Sequence, residues 1–590
     1  MLFPPDSVLL DAGWPDASGQ ASGALLFTRP ERVLTASRLS EIPGLLGELD
    51  RVAAAGRVAV GYLAYEAGYA FETIAALKPH AGLLAWFGVY RAPERLSEED
   101  LEALLSQAGA HRLTETQFAI DRATYRDRIE HIRHHIREGD VYQINFTAPF
   151  RFGVEGDPVG LYRALRERQR VGFGALLRAG DDWVLSRSPE LFFRREGERV
   201  ATRPMKGTVR RGATARLDEA QAGWLTADEK NRAENLMIVD LLRNDLAVVA
   251  EPGSVTVPAL FEAERYDTLW QMTSTVEAKL RPSTGTADLV RALFPCGSVT
   301  GAPKIRAMQL IHELEAAPRG VYCGAIGLVA PGRAVFNVPI RTLALRGGQG
   351  TMGIGSGVVW DSDPEAEYDE CLLKARFLTE PRADFALLET VRWEGGYALL
   401  DLHLGRLRRA AAYFGYPFDE TTLRARLASL AFETEAPHRV RLTLDRHGCT
   451  EAEATPLAEV PLVLRRAVVY PEPADSTDPF LRHKTTHRGF YDRALAWAEP
   501  RGFDEAMLVN ERGELTEGTR TNLFVREGGR LWTPPLASGG LDGVYRAHRL
   551  ATDPEAGERV LRPADLVRAD AVYLANALRG MQAVTVSLDA

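Results

Sequence analysis

The chain alternates between apolar runs of strand length and segments whose apolar residues recur at helical spacing. The strand-like runs RVAVGYLAYEAG and LLAWFGVY lie before residue 110, between Pro and Gly punctuation. From Asp121 the pattern DRATYRDRIEHIRHHIREGD predicts a helix that Gly139 ends, and VYQINFTAPF predicts the strand that follows. Strands and helices then alternate up to about Phe377, which indicates a mixed α and β protein.

Two polar, proline-containing stretches interrupt this pattern. TEPRADF, from Thr379 to Phe385, predicts an interdomain linker, and YPEPADSTDPF, from Tyr470 to Phe480, predicts a break inside the region that follows. The predicted divisions are an N-terminal part at 1–119, a catalytic domain at 120–378, a linker at 379–384, and a second domain at 385–590 with a subdomain break near 471–479.

Composition narrows the class of protein. The 590 residues are 45% hydrophobic and 26% charged, as in ordinary soluble globular proteins. A formal charge of -9 argues against nucleic acid or an anionic membrane as a partner. The beginning MLFPPDSVLLDAGW lacks a basic segment and a long apolar core, so we expect no secretory signal, and no apolar stretch is long enough to predict a transmembrane helix.

The cysteines bear on the compartment. Four cysteines are widely spaced, and none lies in a CxxC pair or a Cys/His cluster. We therefore expect neither structural zinc nor a disulfide framework, and we expect the reducing cytoplasm as the location.

Charged residues stand out in three segments of otherwise apolar pattern. SRSPELFF carries Glu190, and TRPMKGTVRRG carries Lys206 followed by a glycine that lets backbone approach a ligand. Apolar residues cover much of the helix predicted for EKNRAENLMIVDLLRNDL, so we expect it to be largely buried. Its charges would then need either an internal salt-bridge network or a ligand. The polar residues in question are Glu234, Asp240, Arg243, Asn244 and Asp245.

Two further segments are rich in glycine. In GSVTGAPKIRAMQLIHELE, a glycine-rich turn leads into an amphipathic helix, and the turn could bind an anion or simply cap the helix. In GIGSGVVWDSDPEAEYDECLLKA, we expect Gly355, Ser356 and Gly357 to turn backbone N–H groups toward a carboxylate, as in an anion-binding nest.

The last of these segments also carries paired carboxylates. Glu367 and Glu370 are three residues apart, so they share one face of a helix. If they converge with Glu234, the oxygen ligands would suit Mg²⁺. The alternative is that Glu370 and Lys374, four residues apart, form an ordinary surface ion pair.

Taken together and in this order, the five segments resemble the chorismate-utilising enzymes: anthranilate synthase, aminodeoxychorismate synthase and isochorismate synthase. The resemblance covers residues 120–377 closely and the preceding residues more loosely. It implies an α+β fold, an antiparallel β-sandwich with outer helices. It also implies that Glu234 and Glu370 bind Mg²⁺, which holds a carboxylate of chorismate, with Glu367 as a supporting carboxylate. The implied substrate-binding positions are Gly207, Thr208, Tyr322, Arg341, Gly355, Ser356, Gly357 and Lys374.

One residue discriminates between members of this family. The segment Pro204–Thr208 reads PMKGT, which is similar to the P-I-K-G-T of aminodeoxychorismate synthases rather than the P-I-A-G-T of anthranilate synthases. A neutral Lys206 can attack the chorismate ring and expel the 4-hydroxyl, and ammonia can then displace the lysine. Glu190 matches the family's general acid/base. The alternative role for Lys206 is a simple electrostatic partner of chorismate.

Position 271 points the same way. Anthranilate synthases carry a histidine there that is linked to pyruvate elimination, whereas this chain has Gln271. Glutamine cannot act as a general base at neutral pH. We therefore expect the first region to stop at aminodeoxychorismate.

The remaining region contains HKTTHRGFYDRAL and FDEAMLVNERGELTEGTRTNLFV, which resemble the fold-type IV pyridoxal-phosphate enzymes, a two-subdomain α/β fold. The resemblance implies that Lys484 attaches the cofactor covalently and shuttles protons, that Glu517 pairs with the pyridinium nitrogen, and that Arg406 binds the phosphate. The match begins directly after the linker, without the usual preceding strand. The backbone positions implied for the phosphate cup are Val544, Tyr545, Asn576 and Ala577.

The two resemblances imply consecutive reactions, because the product of the first enzyme is the substrate of the second. Aminodeoxychorismate carries an amine, and eliminating its enolpyruvyl group as pyruvate yields p-aminobenzoate, a folate precursor. No cysteine lies in a Gly-x-Cys-x-Gly turn, so we expect ammonia from a separate glutamine amidotransferase subunit. The resemblance also suggests a homodimer through the second domain. The rival interpretations are an anthranilate synthase-like enzyme, a non-catalytic C-terminal domain, and an isochorismate or salicylate synthase.

Overall fold

The computed structural model of the protein describes residues 3–14, 23–72, 78, 82–169, 171–266, 269–380, 383–430, 436–457 and 464–589. The chain divides into two compact units. Unit 1 comprises Met1–Val209 and Gly223–Arg382, and unit 2 comprises Arg210–Ala222 and Ala383–Ala590. The linker predicted at 379–384 overlaps the last turn of a helix that ends at Thr379, and its residues 381 and 382 lie outside the described residues.

The part of the chain before residue 383 is rich in short strands. These strands are β1 (Ser7–Asp11), β2 (Ala24–Phe27), β3 (Arg32–Ala36), β4 (Val58–Leu63), β5 (Ala85–Tyr90), β6 (Glu94–Leu96), β7 (His111–Phe118), β8 (Gln143–Gly156), β9 (Phe173–Ala179), β10 (Asp182–Ser188), β11 (Leu191–Glu196), β12 (Arg199–Arg203), β13 (Met205–Arg210), β14 (Thr256–Arg265), β15 (Leu269–Lys279), β16 (Gly301–Ala302), β17 (Ala325–Ala330), β18 (Arg333–Asn337), β19 (Thr342–Arg346) and β20 (Gln349–Val358).

Helices lie between these strands along the chain. They are α1 (Ile42–Ala54), α2 (Glu98–Leu105), α3 (Arg122–Arg137), α4 (Pro158–Arg168), α5 (Ala215–Ala227), α6 (Glu229–Ala247), α7 (Thr286–Leu293), α8 (Lys304–Leu314) and α9 (Pro364–Thr379).

Two antiparallel sheets organise these strands. Within the described residues, the first sheet runs β16-β8-β20-β19-β10-β9-β1-β2-β6 with β7 beside β8, and the second runs β13-β15-β12-β11-β18-β17-β4-β5-β3 with β14 beside β15. The sheets share one apolar core, in which Val8 and Leu10 of β1 lie with Val60 of β4 and Ile326 of β17. A second core joins the sheets to the helices. The predicted antiparallel sandwich with outer helices is therefore confirmed.

Helix α3 follows its sequence pattern closely. Asp121 caps it by accepting a hydrogen bond from the Thr124 backbone, and the helix ends at Arg137, shortly before Gly139 adopts a φ of 79°. Its apolar residues Tyr125 and Ile129 recur on one face and are buried. The predicted helix is therefore present, and it leads into the predicted strand, β8.

Helix α6 departs from its prediction. We expected it to be largely buried, but only one face is: Ile238 and Leu242 are buried, and Leu236 is 43% exposed. The apolar residues outnumber those one face can bury, so composition overstated the burial. Asp240 and Arg243 form a surface ion pair, and Asn244 is exposed, so they need no ligand. Asp245 is buried and pairs with Lys304.

Unit 2 contains the strands and helices after residue 383. The strands are β21 (Leu387–Trp393), β22 (His438–Leu444), β23 (Thr450–Pro456), β24 (Arg466–Val469), β25 (Glu505–Val509), β26 (Leu515–Gly518), β27 (Asn522–Glu527), β28 (Arg530–Thr533), β29 (Ala556–Glu558), β30 (Ala571–Asn576) and β31 (Gly580–Ser587). The helices are α10 (Leu400–Phe414), α11 (Glu420–Ala428), α12 (Pro479–Arg482), α13 (Gly489–Ala498), α14 (Val544–Thr552) and α15 (Pro563–Arg568).

These strands build a small sheet and a large mixed sheet. Among the described residues, β21-β22-β23 form the small antiparallel sheet, and the large one runs β26-β25-β24-β31-β30-β27-β28-β29. Strand β24 is parallel to both of its neighbours, whereas β27 and β30 are antiparallel. The segment at 471–479 joins β24 to α12. The predicted fold class of this region is confirmed. Across the described part of the chain, no helix combines the length and the apolar character that crossing a bilayer requires.

Candidate active sites

Lys206 of unit 1 lies in β13, half-buried among carboxylates. Burial lowers the pKa of its ammonium, because a charged amine loses its hydration there. The neighbouring carboxylates partly offset this lowering, since negative charge favours the protonated form. These carboxylates are Glu234, Glu190 and Glu370. The structure therefore brings the lysine and three predicted acidic residues into one site.

Glu190 occupies the turn between β10 and β11. Its backbone N–H donates to Ser188 Oγ at 3.2 Å, and its backbone carbonyl accepts from Val338, which fixes the turn. The side chain is 3% exposed, and burial raises the pKa of its carboxyl to about 7, although a hydrogen bond from Ser298 opposes the rise. In the described part of the chain its Oε1 has no hydrogen-bond partner. Glu190 can therefore hold a proton near neutral pH and offer it to a ligand.

Gly207 and Thr208 follow the lysine. Gly207 has a φ of 86°, and a Cβ there would lie 2.9 Å from Asn231 Oδ1, so a side chain is excluded. Thr208 Oγ1 donates to Gln271 Oε1 at 2.9 Å, and Gln271 Nε2 donates to the Gly207 carbonyl at 2.8 Å. Gln271 therefore holds β13, the strand that carries Lys206, through hydrogen bonds to two of its residues.

The nest expected at Gly355, Ser356 and Gly357 is not formed. These residues continue β20, where Gly355 pairs with Thr147 and Gly357 with Asn145 of β8, and neither glycine has a positive φ. The backbone N–H groups therefore belong to a strand instead of a turn, which corrects the prediction. The missing side chain at Gly357 instead lets Lys206 and Gln143 lie close to the backbone of β20. A Cβ on Gly357 would lie 3.1 Å from Lys206 Nζ and 2.4 Å from Gln143 Nε2.

The remaining carboxylates lie on α6 and α9. Burial raises the pKa of Glu234, and the charges of Glu367 and Glu370 raise it further. Glu370 forms the ion pair with Lys374 that was the alternative prediction, at 2.6 Å, and Lys374 also donates to the Gly355 carbonyl. Mutual repulsion among carboxylates is relieved by a bound cation.

The carboxylates can be compared with the needs of Mg²⁺. Among the described residues, no three acidic, thiol or imidazole side chains are arranged to hold a metal. Mg²⁺ commonly uses one or two carboxylates and completes its shell with water and substrate oxygens. Glu234 and Glu370 fit that smaller donor set.

Tyr322 and Arg341 are the other side chains predicted to bind the substrate. A Cβ on Gly353 would lie 2.0 Å from Tyr322 Cδ1, so the ring packs directly on β20. Arg341 has a φ of 51°, burial lowers the pKa of its guanidinium, and Nη1 lacks a partner within the described residues. A buried, unsatisfied guanidinium group suits a carboxylate ligand.

The GSVTG turn is held by a buried network that motif analysis missed. Arg319 donates to the carbonyls of Val299 and Asn145, at 2.7 and 2.6 Å, and pairs with Glu315. Glu66 accepts from the backbone of Arg319. This network fixes the turn that carries Ser298, which hydrogen-bonds to Glu190, and α8 begins after Pro303 without a side-chain cap.

Lys484 in unit 2 precedes α13 in a segment that pairs with β21. Its carbonyl accepts a hydrogen bond from the Leu388 backbone at 2.9 Å. Burial lowers the pKa of its amine to about 8, and the charges of Arg406 and Arg488 add to the lowering. A substantial fraction of Lys484 is therefore neutral near physiological pH.

Glu517 lies at the end of β26 and is 4% exposed. Burial raises the pKa of its carboxyl to about 7. Tyr491 donates to it at 2.7 Å and Asn522 at 3.3 Å. Neither Tyr491 nor Asn522 was predicted, although the NLF motif contains the asparagine. Both hold the carboxyl in one orientation.

Arg406 of α10 lies in a buried ionic cluster. Its Nε and Nη2 donate to Glu389 at 2.8 and 2.6 Å, its Nη1 donates to the Asp542 carbonyl, and Glu389 also contacts His403 Nδ1. The charge of Arg406 and the hydrogen bond with His403 hold the pKa of Glu389 at about 2, despite its burial. Two N–H bonds of the guanidinium remain for a further ligand. Sequence analysis missed Glu389 as the partner, because it lies on β21.

The predicted phosphate cup lies at the start of α14. Gly543 caps this helix, and a Cβ there would lie 1.7 Å from Asn522 Oδ1. The first N–H groups of α14, from Val544 and Tyr545, are therefore open to an anion. Asn576 and Ala577 lie at the turn after β30, where Asn576 Oδ1 accepts from two backbone N–H groups.

These groups can be compared with pyridoxal phosphate. A lysine of lowered pKa matches the aldehyde, and a buried carboxyl matches the pyridine nitrogen. A buried arginine and a glycine-capped helix start match the phosphate. Lys484 lies close enough to Arg406 and Glu517 for both charges to shift its pKa, downward and upward respectively. The residues present fit the cofactor.

Comparison with known proteins agrees with this division. Residues 18–380 match the chorismate binding enzyme family, and residues 386–586 match the amino-transferase class IV family. Aminodeoxychorismate synthase component 1 of Salmonella typhimurium is 42% identical over 46% of this chain and 60% of its own length. Anthranilate synthase component 1 1 of Haloarcula marismortui is 42% identical over 44% of this chain and 53% of its own length.

A solved structure gives the same likeness. Anthranilate synthase component I from Streptococcus pneumoniae is 26% identical, with a TM-score of 0.51, over 64% of this chain and 93% of that one. The chain spans less than two thirds of the length of the two curated relatives. The protein therefore belongs to the chorismate binding enzyme family and carries a class IV aminotransferase domain after that region.

Proposed function

We propose that the chain converts chorismate to 4-aminobenzoate in two steps, an amination in unit 1 and an elimination of pyruvate in unit 2. The observation that carries the first step is Lys206, a half-buried amine of lowered pKa beside Glu190 and within reach of Gly357. A lysine in that state is a nucleophile.

In the first step, the neutral amine of Lys206 forms a bond to a ring carbon of chorismate. The C4–O bond breaks, and Glu190 supplies the proton with which the hydroxyl leaves as water. Ammonia then bonds to C4 while the bond to Lys206 breaks, and the released proton returns to Glu190. The carboxyl is thereby reset, and the product is 4-amino-4-deoxychorismate.

Other residues of unit 1 bind and orient the substrate. Arg341 presents an unpartnered N–H to a carboxylate, and Tyr322 and Thr208 add hydroxyl groups. Glu234 and Glu370 would hold Mg²⁺, with Glu367 nearby. When bound, this ion neutralises a substrate carboxylate and the surrounding acidic residues.

Relatedness does not decide which ring carbon receives nitrogen. An aminodeoxychorismate synthase component and an anthranilate synthase component are each 42% identical to this chain over less than half of its length. Lys206 and Gln271 favour the 4-amino product, because a lysine can form the adduct and a glutamine cannot act as the base for elimination in unit 1.

In the second step, unit 2 eliminates pyruvate from the aminated product. When bound, pyridoxal phosphate withdraws electrons from the substrate through its amine. Lys484 would attach the cofactor and then move protons to and from the substrate, and its lowered pKa suits both roles. Glu517 would hold the pyridine nitrogen, and Arg406 and the start of α14 would hold the phosphate.

Ammonia would come from a separate glutamine amidotransferase subunit. Such enzymes need a reactive cysteine. Burial raises the pKa of Cys296 and Cys323 to about 12 and that of Cys371 to about 11, so these thiols stay protonated. Cys449 lies in the exposed β22–β23 turn. A homodimer through unit 2 stays a prediction.

The test is identification of the product. The protein is incubated with chorismate, Mg²⁺, ammonium and pyridoxal phosphate, and products are separated and identified by mass and absorbance. We expect 4-aminobenzoate and pyruvate from the wild type, and 4-amino-4-deoxychorismate without 4-aminobenzoate from Lys484→Ala. Anthranilate or salicylate as the product would refute the proposal for unit 1. Accumulation of 4-amino-4-deoxychorismate by the wild type would refute it for unit 2.

A further inference from the structure

A short segment of unit 2 comes from the middle of the unit 1 sequence. Residues Arg210–Ala222, which follow β13 and include the start of α5, group with residues after 382. They lie far outside the residues 386–586 that match the class IV family. Nothing in that family match accounts for their presence in unit 2.

The segment is closed by a buried ion pair. The side chains of Arg211 and Asp218 are 5% and 7% exposed, and Asp218 accepts from both Nε and Nη2 of Arg211. Asp218 also accepts from the Gly212 backbone at 3.1 Å. Burying two charges is costly, so such a pair gives weak evidence of stabilisation and better evidence that one particular arrangement is specified.

Arg211 reaches His483, the residue that precedes the lysine, through Tyr413, and Ala213 contacts it directly. Arg211 Nη1 donates to the Tyr413 carbonyl at 2.7 Å, and its guanidinium carbon lies 4.2 Å from the Tyr413 ring centroid. The Tyr413 ring stacks on the His483 imidazole with centroids 4.4 Å apart. The Ala213 backbone forms a hydrogen bond with the same imidazole. The segment therefore reaches His483 by two routes.

The imidazole in this stack is uncharged. Burial lowers the pKa of His483 to about 4, so at neutral pH the ring packs as an aromatic group rather than as an ion-pair partner. Phe414 makes a further edge contact with it at 5.1 Å. The ring is thus held from several sides, and its backbone continues directly into Lys484.

Lys484 is therefore fixed from two directions. On one side, its carbonyl accepts from Leu388 of β21, and Thr485 bridges to Leu387. On the other side, the chain is fixed by His483 in its stack. A reactive side chain keeps its geometry only when its supporting groups are themselves held.

We infer that Arg211 is a positioning residue for Lys484, acting through Tyr413 and His483. The segment after β13 therefore helps to hold the candidate active site of unit 2 in place. This inference rests on the proposed role of Lys484. It assigns to Arg210–Ala222 a function in the second reaction, although the segment directly follows the strand that carries Lys206.

The test uses the full chain with the buried pair replaced. Arg211→Met combined with Asp218→Leu removes both charges, so that no unpaired ion is left in the interior. We expect the affinity for pyridoxal phosphate to fall roughly tenfold and elimination to slow by about 10–100-fold, since small misplacements have effects of that size. Backbone amides of residues 483–486 should exchange hydrogen faster.

Matched variants separate positioning from general stability. Arg216→Ala, in the same segment but exposed, should leave cofactor affinity and exchange unchanged. Tyr413→Phe keeps the stacked ring and should resemble the wild type, whereas Tyr413→Leu should reproduce the loss. Arg211→Lys keeps the charge but not the flat fork, and should give an intermediate loss.

The outcomes distinguish this inference from the proposed function. If the wild type fails to bind pyridoxal phosphate through Lys484, the role proposed for unit 2 is wrong, and the inference falls with it. If the wild type binds it, and both the double variant and Tyr413→Leu keep wild-type affinity and exchange, Arg211 does not position Lys484. The proposed function then stands without it.

Discussion

The two candidate sites each contain a partly buried lysine whose pKa is lowered, but the charged groups around the two lysines differ. Lys206 lies among Glu190, Glu234 and Glu370, which partly restore its pKa. Beside Lys484, Arg406 and Arg488 lower its pKa further, while Glu389 and Glu517 partly raise it. Burial makes each amine available as a nucleophile, and the neighbours decide what else the site can bind.

This difference matches the groups that each site is proposed to hold. The carboxylates around Glu234, whose charges raise its pKa, favour a bound cation. Arginines near Lys484 and the N-terminal N–H groups of α14 favour a bound anion such as a phosphate. One kind of residue, placed among carboxylates or in a surrounding that also contains arginines, can therefore serve two different chemistries within one chain.

Removing the unit 1 amine should have the largest effect. Lys206→Ala should lower ammonia-dependent chorismate consumption about a thousandfold or more, as expected when a covalent nucleophile is lost. Steady-state rates measured with ammonium check this. Lys279→Ala, on the surface of the neighbouring β15, is the control and should behave as wild type. A Lys206→Ala enzyme that keeps most of its rate would show that the lysine is only an electrostatic partner.

Removing the proton of Glu190 should have the next largest effect. Glu190→Gln keeps the shape but cannot donate the proton that the departing hydroxyl needs, so kcat should fall about 10²–10⁴-fold with little change in KM. Glu198→Gln, an exposed carboxyl in the β11–β12 turn, is the matched control. A change confined to KM would assign Glu190 to binding.

A smaller effect is expected at the start of α14. Gly543→Ala would place a Cβ 1.7 Å from Asn522 Oδ1, so Asn522 or the helix start must move. We expect the affinity for pyridoxal phosphate to fall by about tenfold, the size typical of a displaced supporting group. Equilibrium titration of cofactor absorbance measures it. Gly396→Ala, where a Cβ meets open space, should bind normally.

A pH dependence of similar size, about tenfold, is expected in unit 2. Lys484 is protonated below a pKa of about 8 and neutral above it. Covalent capture of added pyridoxal phosphate by the apoprotein should therefore speed up by about tenfold from one pH unit below that pKa to one unit above it, and then level off. A lysine with the usual pKa of about 10.4 would keep accelerating. The band near roughly 410–430 nm follows the reaction.

Sequence patterns predicted the helices and strands where local periodicity and caps agree, as at α3. They failed where tertiary pairing overrides local preference. Gly355 and Gly357 suggested a turn, yet they lie in a strand because β8 pairs along β20. The absence of a side chain at Gly357 leaves room for Lys206. The local sequence around Gly357 carries no sign that a residue as distant in the chain as Lys206 packs against it.

Contacts between residues distant in sequence could not be predicted from motifs either. Motifs indicated Lys206, Glu190 and Glu234, and the structure brings them together. The Glu389 that neutralises Arg406 and the Tyr491 that holds Glu517 emerge only when the elements pack. The membership of Arg210–Ala222 in unit 2 has no local signal, because a buried ion pair such as Arg211 with Asp218 has the same sequence pattern as a surface pair.

The most direct test asks whether Lys206 bonds to the substrate. The protein is mixed with chorismate and Mg²⁺ without ammonia, quenched, and measured by intact-protein and peptide mass spectrometry. We predict a mass increase of one chorismate less one water, located on Lys206 and lost when ammonium is added before the quench. Absence of any adduct in the wild type, or an equal adduct in Lys206→Ala, would contradict the account.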